Sequence, residues 1–315
     1  MSQNNIDARH LDKEIDIRDL ILMLWKKKIT IIGITSLFAI VSVFYALSLS
    51  NIYTATALLA PTDQQESLNS KLASYKNLAG LAGVKIPGNG SASRTQEAIE
   101  RIKSYKFFTE NFLPKIKLEN LMALQKWSQE NDKLYYNNNA FDSNLNKWIR
   151  EVEYPQTVEP SKQESYKRYQ DILSITVDDD TGFVYLAIDH MSPKIAKKWL
   201  DIIIFQIDAN MRELDKKKAE SSIRFLNESS SSTSVQSIKE AIAALLEEQM
   251  QTLMLASSNQ DYIFKIIEAP IAPEIKSKPS RAIICIIFTI IGGFFSLIYV
   301  VVQHNFKNII NFLKN

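Results

Sequence analysis

The chain has 315 residues, enough for one large domain or two small ones, and a formal net charge of +2. This near balance gives no reason to expect a nucleic-acid partner. Its single cysteine, Cys285, excludes an internal disulfide, so the fold must depend on its own core and on partners.

Residues 1–28 form a polar segment that leads into an apolar run. Within it, "EIDIRDLILMLWKKK" carries apolar residues at helical spacing, which predicts one or two amphipathic turns. Either an interfacial lead-in or a specific contact is compatible with this pattern. The lead-in residues next to the apolar run are Leu24, Trp25, Lys26, Lys27 and Lys28.

The apolar run at 29–49 contains 21 residues without a charge, which as a helix would reach about 30 Å, the thickness of a bilayer core. A signal peptide is the alternative, and Ala46-Leu47-Ser48 resembles a cleavage site, but signal-peptide apolar regions usually have only about 7–15 residues. We therefore predict an uncleaved transmembrane helix. Three lysines precede it, so the positive-inside rule predicts a cytoplasmic N-terminus.

A second uncharged run at 282–302 predicts a second transmembrane helix, which returns residues 303–315 to the cytoplasm. Those last residues are too few for a catalytic or signalling domain. Small residues in a membrane helix let two backbones approach closely. A packing surface is therefore predicted at Gly292, Gly293 and Ser296.

Between the two runs lies one predicted periplasmic domain, residues 50–281, with 29 Lys and Arg against 30 Asp and Glu. "NIYTATALLAP" follows the first run and "DYIFKIIEAPIAP" precedes the second, and both are rich in the residues that favour strands. Because each is close to a predicted membrane helix, we expect the two strands to share one membrane-proximal sheet.

Four further elements are predicted between these strands. Capping boxes at Ser93/Gln96 and Ser161/Glu164 indicate helix starts, and "YYNNNAFDSN" indicates a polar loop. "ILSITV" and "FVYLAI", joined by "DDDTG", predict a β-hairpin.

A long helix is predicted to begin at Ser192-Pro193, because proline is favoured at the first helical position. Its apolar period continues to Leu226, about 50 Å along the axis. "ESSSSTS" interrupts it and "VQSIKEAIAALLEEQMQTLML" resumes as helix, which leaves open whether one helix continues through Ser229–Ser234. We expect it to project away from the membrane.

Candidate chemistry is sparse. His190 is the one histidine in the predicted periplasmic domain, too few for a zinc site, and it is expected to be a polar residue at a strand end. "DDDTG" has its glycine one position too early for a calcium-binding loop, so a hairpin turn is favoured. No P-loop and no distinct pair of catalytic carboxylates is present. We predict no catalytic residue, no metal site and no cofactor.

A proline-rich, cationic stretch, "EAPIAPEIKSKPSRAII", joins the last strand to the second run. Proline ends a strand and holds a connection extended. The cations are either ordinary interfacial anchors or contacts to the pyrophosphate of a lipid-linked sugar. The predicted membrane-junction residues are Pro270, Pro273, Lys276, Lys278, Pro279 and Arg281.

Several of these stretches together resemble the bacterial polysaccharide chain-length determinants, also called polysaccharide co-polymerases. The similar stretches are "EIDIRDLILMLWKKKITIIGIT", "YTATALLAP", "GLAGVKIPG", the Thr181-Gly182 hairpin with the helix that follows it, and "APIAPEIKSKPSRAI". They occur along nearly the whole chain, and their order is specific to that family.

The resemblance implies an α+β inner-membrane protein, with two transmembrane helices flanking a periplasmic α/β base and a long projecting helix. Such proteins form homo-oligomeric rings in membrane lipid and set the chain length of O-antigen or related polysaccharides. They are not enzymes, and they act with a Wzy-type polymerase on lipid-linked polysaccharide. An export co-polymerase that works with a separate tyrosine kinase and an outer-membrane channel is the main alternative, and a two-span ligand sensor is a third hypothesis.

Overall fold

The computed structural model describes residues 22, 24–62, 90–258 and 261–313. It divides into two compact units, one made of residues 1–50 with 279–315 and one made of residues 51–278. The small-residue loop "GLAGVKIPG" and most of the segment before Leu24 lie outside the described residues.

The first unit is a pair of apolar helices, α1 (Lys28–Ser48) and α8 (Arg281–Leu313). Both are long and apolar enough to cross a membrane, with a mean hydropathy of 2.2 for Lys28–Ser48 and 2.6 for Arg281–Gln303. Only 11% of the first span and 17% of the second is buried, so most of their apolar surface faces outward. α8 also continues as helix through residues predicted as a tail.

The second unit is built on a four-stranded sheet with the order β6-β7-β1-β8. Its strands are antiparallel, and β1 pairs with both β7 and β8. The first and last strands therefore share one sheet, as predicted. The strands are β1 (Tyr53–Pro61), β6 (Leu173–Val177), β7 (Val184–His190) and β8 (Phe264–Glu268).

One face of this sheet is covered by helices. Alternate residues of β1 and β7, such as Leu59, Leu186 and Ile188, are fully buried beneath α6. Tyr169 is also fully buried, and burial raises the pKa of its hydroxyl, which donates to the carbonyl of Ile102 at 2.9 Å. The covering helices are α5 (Lys162–Ile172) and α6 (Pro193–Ser232), and α2 (Gly90–Lys103) packs on α6.

Local signals in the sequence explain several element boundaries. The capping box of Ser161 and Glu164 is present at the start of α5. The turn between β6 and β7 places Gly182 at φ +69°, a conformation that favours glycine. Ser93, by contrast, lies inside α2, which begins at Gly90, four residues before the first helical residue that this capping box predicted.

The long helix ends at Ser232, so it does not continue through Ser234. Within the serine run the hydroxyls bond to helix carbonyls four residues back, Ser229 to Phe225 at 2.9 Å and Ser231 to Asn227 at 2.9 Å. After a short break, α7 (Gln236–Ser257) packs back along the second half of α6. The two helices form a helical hairpin.

The predicted polar loop "YYNNNAFDSN" contains parts of two strands, and it belongs to a structured stretch from residue 105 to residue 148. A helical segment of mixed type packs against α5 and α6, and two small hairpins follow it. The elements are α3 (Tyr105–Phe107), a π-helix (Phe108–Phe112), a 3₁₀-helix (Leu113–Lys115), α4 (Leu118–Met122), β2 (Leu124–Ser128), β3 (Lys133–Tyr136), β4 (Phe141–Asp142) and β5 (Lys147–Trp148).

Candidate functional site

The two ends of the α/β unit are hydrogen-bonded to each other. The amide of Ile52 donates to the carbonyl of Lys278 at 2.9 Å, and the amide of Ser277 donates to the carbonyl of Ile52 at 2.8 Å. Residues 52 and 278 are each only a few positions from an apolar helix in the sequence. The unit therefore holds its entering and leaving segments at one fixed place.

Side chains reinforce this backbone bridge. Thr54 donates its hydroxyl to Asp189 Oδ1 at 2.6 Å, and Lys278 Nζ donates to Asp189 Oδ2 at 2.6 Å. The amide of Thr54 also donates to Ser277 Oγ at 3.1 Å. The side chain of Asp189 is only 14% exposed, whereas that of Lys278 is 61% exposed. We call Ile52, Thr54, Asp189, Ser277 and Lys278 the terminal clamp.

His190 lies next to the clamp at the end of β7, as the sequence predicted for a polar strand-end residue. Because the Ser192 amide donates to Nδ1 at 2.9 Å, Nε2 carries the proton and donates to the carbonyl of Asn120 at 3.2 Å. The ring also packs on Trp199 at 4.6 Å. Burial lowers the pKa of His190 to about 4, so it is neutral in ordinary buffers.

A cavity of about 190 Å³ lies beside the clamp. Two cations and two carboxylates line it, Arg168, Lys278, Asp171 and Asp189, so its charge is balanced and favours no anion. Among the described residues, no group of three His, Cys, Asp or Glu side chains could hold a metal ion. The clamp therefore joins the two ends of the α/β unit.

The predicted membrane-junction residues have different environments. Pro270 is buried and Pro273 half-buried in the segment after β8. Lys278 pairs with Asp189, whereas in the helical unit the Arg281 Nε donates to the carbonyl of Ala46 at 3.1 Å. Within the described part of the chain, Lys276 has no ion pair and is half-buried.

The small residues of α8 lie against α1 within the helical pair. A Cβ atom at Gly292 would be 2.5 Å from Phe38 Cβ, whereas one at Gly293 would meet nothing closer than Thr35 Oγ1 at 4.0 Å. Ser296 is fully buried and donates to the carbonyl of Gly293 at 2.6 Å. Phe295 stacks on Phe38 with ring centroids 6.3 Å apart.

The residues of the predicted lead-in precede α1, except for Lys28, which is its first residue. Trp25 is 72% exposed, and Lys28 Nζ lies 5.8 Å from the centroid of its ring. The amide of Lys27 donates to the carbonyl of Leu24 at 3.1 Å, and Lys26 is exposed.

A polar cluster that the sequence did not reveal connects the helical hairpin to the start of β8. Two arginines flank the Tyr262 ring, Arg94 at 5.5 Å and Arg212 at 5.1 Å from its centroid. Asp215 pairs with Arg94 and accepts the Tyr262 hydroxyl at 2.7 Å. Burial and then Asp215 raise the pKa of Tyr262 to about 12. Only the helical spacing of Asp208, Arg212 and Asp215 could have indicated this Tyr262 cluster.

Comparison with known proteins adds three findings. Residues 13–112 match the family model described as "Wzz: Chain length determinant protein". A structure titled "full-length bacterial polysaccharide co-polymerase" is 14% identical, with a TM-score of 0.40, covering 93% of this chain and 99% of that one. A fragment of WzzB, a polysaccharide co-polymerase from Salmonella Typhimurium, is 16% identical, with a TM-score of 0.27, covering 72% of this chain and 100% of that one. No curated protein matches the sequence.

Proposed function

We propose that the protein regulates the length of a surface polysaccharide such as O-antigen, because its residues 13–112 match the Wzz chain length determinant family model. The observation that carries the proposal is this family match, in a chain whose α/β unit is preceded and followed by helices of membrane length. The protein acts without catalysing a covalent step.

The proposed location is the bacterial inner membrane, with both termini cytoplasmic. The domains are then 1–28 and 303–315 in the cytoplasm, 29–49 and 282–302 in the membrane, and 50–281 in the periplasm. The outward-facing apolar surface of α1 and α8 supports membrane insertion. Lys26, Lys27 and Lys28 support this orientation.

The proposed mechanism is that of a homo-oligomeric scaffold. Several copies form a ring, which positions a Wzy-type polymerase or the growing lipid-linked polysaccharide at a fixed spacing, so that geometry sets the product length. Exposed apolar side chains on the helical hairpin support association of copies, since such surfaces in folded proteins usually meet a partner. They include Phe205 at 70% exposure, Phe225 at 66% and Met254 at 64%.

The terminal clamp fits this mechanism as the element that transmits orientation. The geometry of a scaffold can set the product length only if each copy holds its periplasmic domain in a defined orientation. By holding residues 52 and 278 together, the clamp fixes the distance between the two points at which the chain enters and leaves the α/β unit. The membrane-junction prolines would stiffen the outgoing connection further.

Deleting the gene from its native strain tests the proposal. We expect the polysaccharide ladder on a gel to lose its modal length and to recover it when the gene is supplied on a plasmid. An unchanged ladder, with polymer still made, would refute the proposed function. If export of the polymer were lost while chain length stayed constant, the export co-polymerase would be the correct assignment.

A further inference from the structure

The region between α4 and α5 contains an open cleft of about 490 Å³. This volume lies in the range of sites that bind small molecules or short segments of a polymer. Its lining includes Glu119, Asn146, Lys147, Trp148 and Glu159. None of these residues belongs to the terminal clamp or to the helix pair.

The cleft has an aromatic platform in a fixed orientation. Trp148 is half-buried and meets Phe141 edge to face, with ring centroids 5.1 Å apart. Phe141 is buried and packs on Tyr136 at 5.6 Å, and the Tyr136 hydroxyl donates to Asn120 Oδ1 at 2.7 Å. This chain of contacts holds the indole ring in place while part of its surface lines the cleft.

The cleft also has hydrogen-bond acceptors available to a ligand. Glu119 is half-buried, and among the described residues no donor is hydrogen-bonded to its carboxylate. Burial and then the negative charge of Glu119 raise the pKa of Tyr136, which indicates that the two groups are close. Glu159 supplies a second, exposed carboxylate to the lining.

The β4–β5 turn supplies hydrogen-bond donors, which complement the carboxylate acceptors. Asp142 Oδ1 accepts the amides of Asn144 at 2.8 Å and Leu145 at 3.1 Å, which fixes the turn. Asn146 has a φ of 49°, in the left-handed region that asparagine tolerates better than most residues. Asn146 and Lys147, at the end of this turn, both line the cleft, and their side chains carry N–H donors.

We propose that this cleft binds a segment of carbohydrate chain. The negative face of an aromatic ring attracts the polarised C–H groups of a sugar ring, while carboxylate, amide and ammonium groups can accept from and donate to its hydroxyls. Two carboxylates against one lysine disfavour a phosphate or another anion. The proposal rests on the proposed function, because the carbohydrate is the polymer whose length the protein regulates.

The test uses the full-length protein in lipid nanodiscs. The probe is the polysaccharide released by mild acid from the lipopolysaccharide of the strain that encodes the chain, and its Kd is measured by isothermal titration calorimetry. We expect Trp148→Ala to weaken binding about tenfold and Glu119→Gln about fivefold, the scale of one lost stacking or hydrogen-bonding contact. Trp148→Phe, which keeps an aromatic ring against Phe141, should bind between the native protein and Trp148→Ala.

Trp127→Phe is the matched control, since Trp127 is a tryptophan of the same region that does not line the cleft. Its Nε1 donates to Asp132 Oδ1 at 2.9 Å, and its ring packs on Tyr53 at 5.4 Å. It should bind within about twofold of the native protein, since no contact to the ligand is lost. Thermal unfolding of each variant shows that it is folded.

Two results would overturn the inference. One is the absence of saturable binding, and the other is an equal loss for the Trp148 and Trp127 variants. A photo-crosslinker can be placed at Leu145, which is 72% exposed. If it captures a protein while the polysaccharide fails to bind, the inference is refuted and the cleft is a protein-binding site. If the gene deletion alters the ladder but Trp148→Ala does not change binding, the cleft is not the carbohydrate site. The proposed function would then still stand.

Discussion

Gly292 and Phe38 are in direct contact across the two apolar helices, with no room for a side chain between them. A Cβ atom at position 292 would lie 2.5 Å from Phe38 Cβ and 2.7 Å from its Cγ. The backbone fixes the position of Phe38 Cβ, so no change of side-chain rotamer can relieve the 2.5 Å contact, and the helices would have to separate.

Gly292→Ala should therefore weaken the pairing of α1 and α8. Forcing an extra methyl group into a packed interface costs about 1–3 kcal/mol. The measurement is the denaturant midpoint of unfolding in detergent, followed by circular dichroism. The neighbouring Gly293→Ala is the matched control, because its Cβ would be no closer than 4.0 Å to a neighbouring atom. Equal midpoints for the two variants would mean that the glycine is not a packing position.

The terminal clamp predicts unequal effects for the two members of one ion pair. Asp189→Ala removes an acceptor used by both Thr54 and Lys278 and should destabilise the α/β unit by about 1–3 kcal/mol. Lys278→Gln removes only an exposed cation, and such pairs contribute about 0–1 kcal/mol. The free energy of unfolding of the full-length protein checks the order.

Asp189 also offers a functional readout, with Lys276 as the control. If the clamp orients the α/β unit as the proposed function requires, Asp189→Ala should broaden the polysaccharide ladder at normal expression, whereas Lys276→Gln, which breaks no ion pair among the described residues, should not. The opposite pattern would favour contact between the junction cations and the lipid-linked sugar.

Much of the fold could be predicted because its signals are local or patterned. The strand composition around Ala55 and Ile266, the capping box at Ser161 and the turn at Gly182 each depend on a few neighbouring residues. Elements that depend on distant partners were missed. Phe141 and Trp148 form strands of only two residues, too short for any period, and Arg94 meets Asp215 across 121 positions of sequence.

The end of the long helix illustrates an intermediate case. Serine is a poor helix former in general, so the sequence indicated an interruption near Ser229. The hydroxyls instead bond to carbonyls one turn back, and the helix continues to Ser232 before it reverses. The location of the break followed from the sequence to within a few residues, whereas the reversal depends on packing between α6 and α7.

The Tyr262 cluster predicts a local weakness at the start of β8. Asp208 Oδ1 accepts the backbone amides of Tyr262 at 2.9 Å and Ile263 at 3.1 Å. Asp208→Ala should therefore leave two amides without an acceptor and cost about 1–3 kcal/mol. Hydrogen exchange should accelerate at residues 262–263, whereas in Tyr262→Phe, which loses only the bond to Asp215, these amides should stay protected. Uniform acceleration across the sheet in both variants would contradict this local role.

His190 predicts how stability depends on pH. Its pKa is about 4 in the folded protein and about 6.5 when unfolded, so between these values the unfolded chain binds more protons and stability falls as pH is lowered. The loss begins below about pH 6.5, reaches about 3 kcal/mol near pH 4 and then levels off. His190→Gln, which keeps a polar side chain but cannot be protonated, should be less stable at pH 7 yet lack this slope. Unfolding midpoints from pH 4 to pH 7 measure the difference, and the same slope in both proteins would show that other groups cause it.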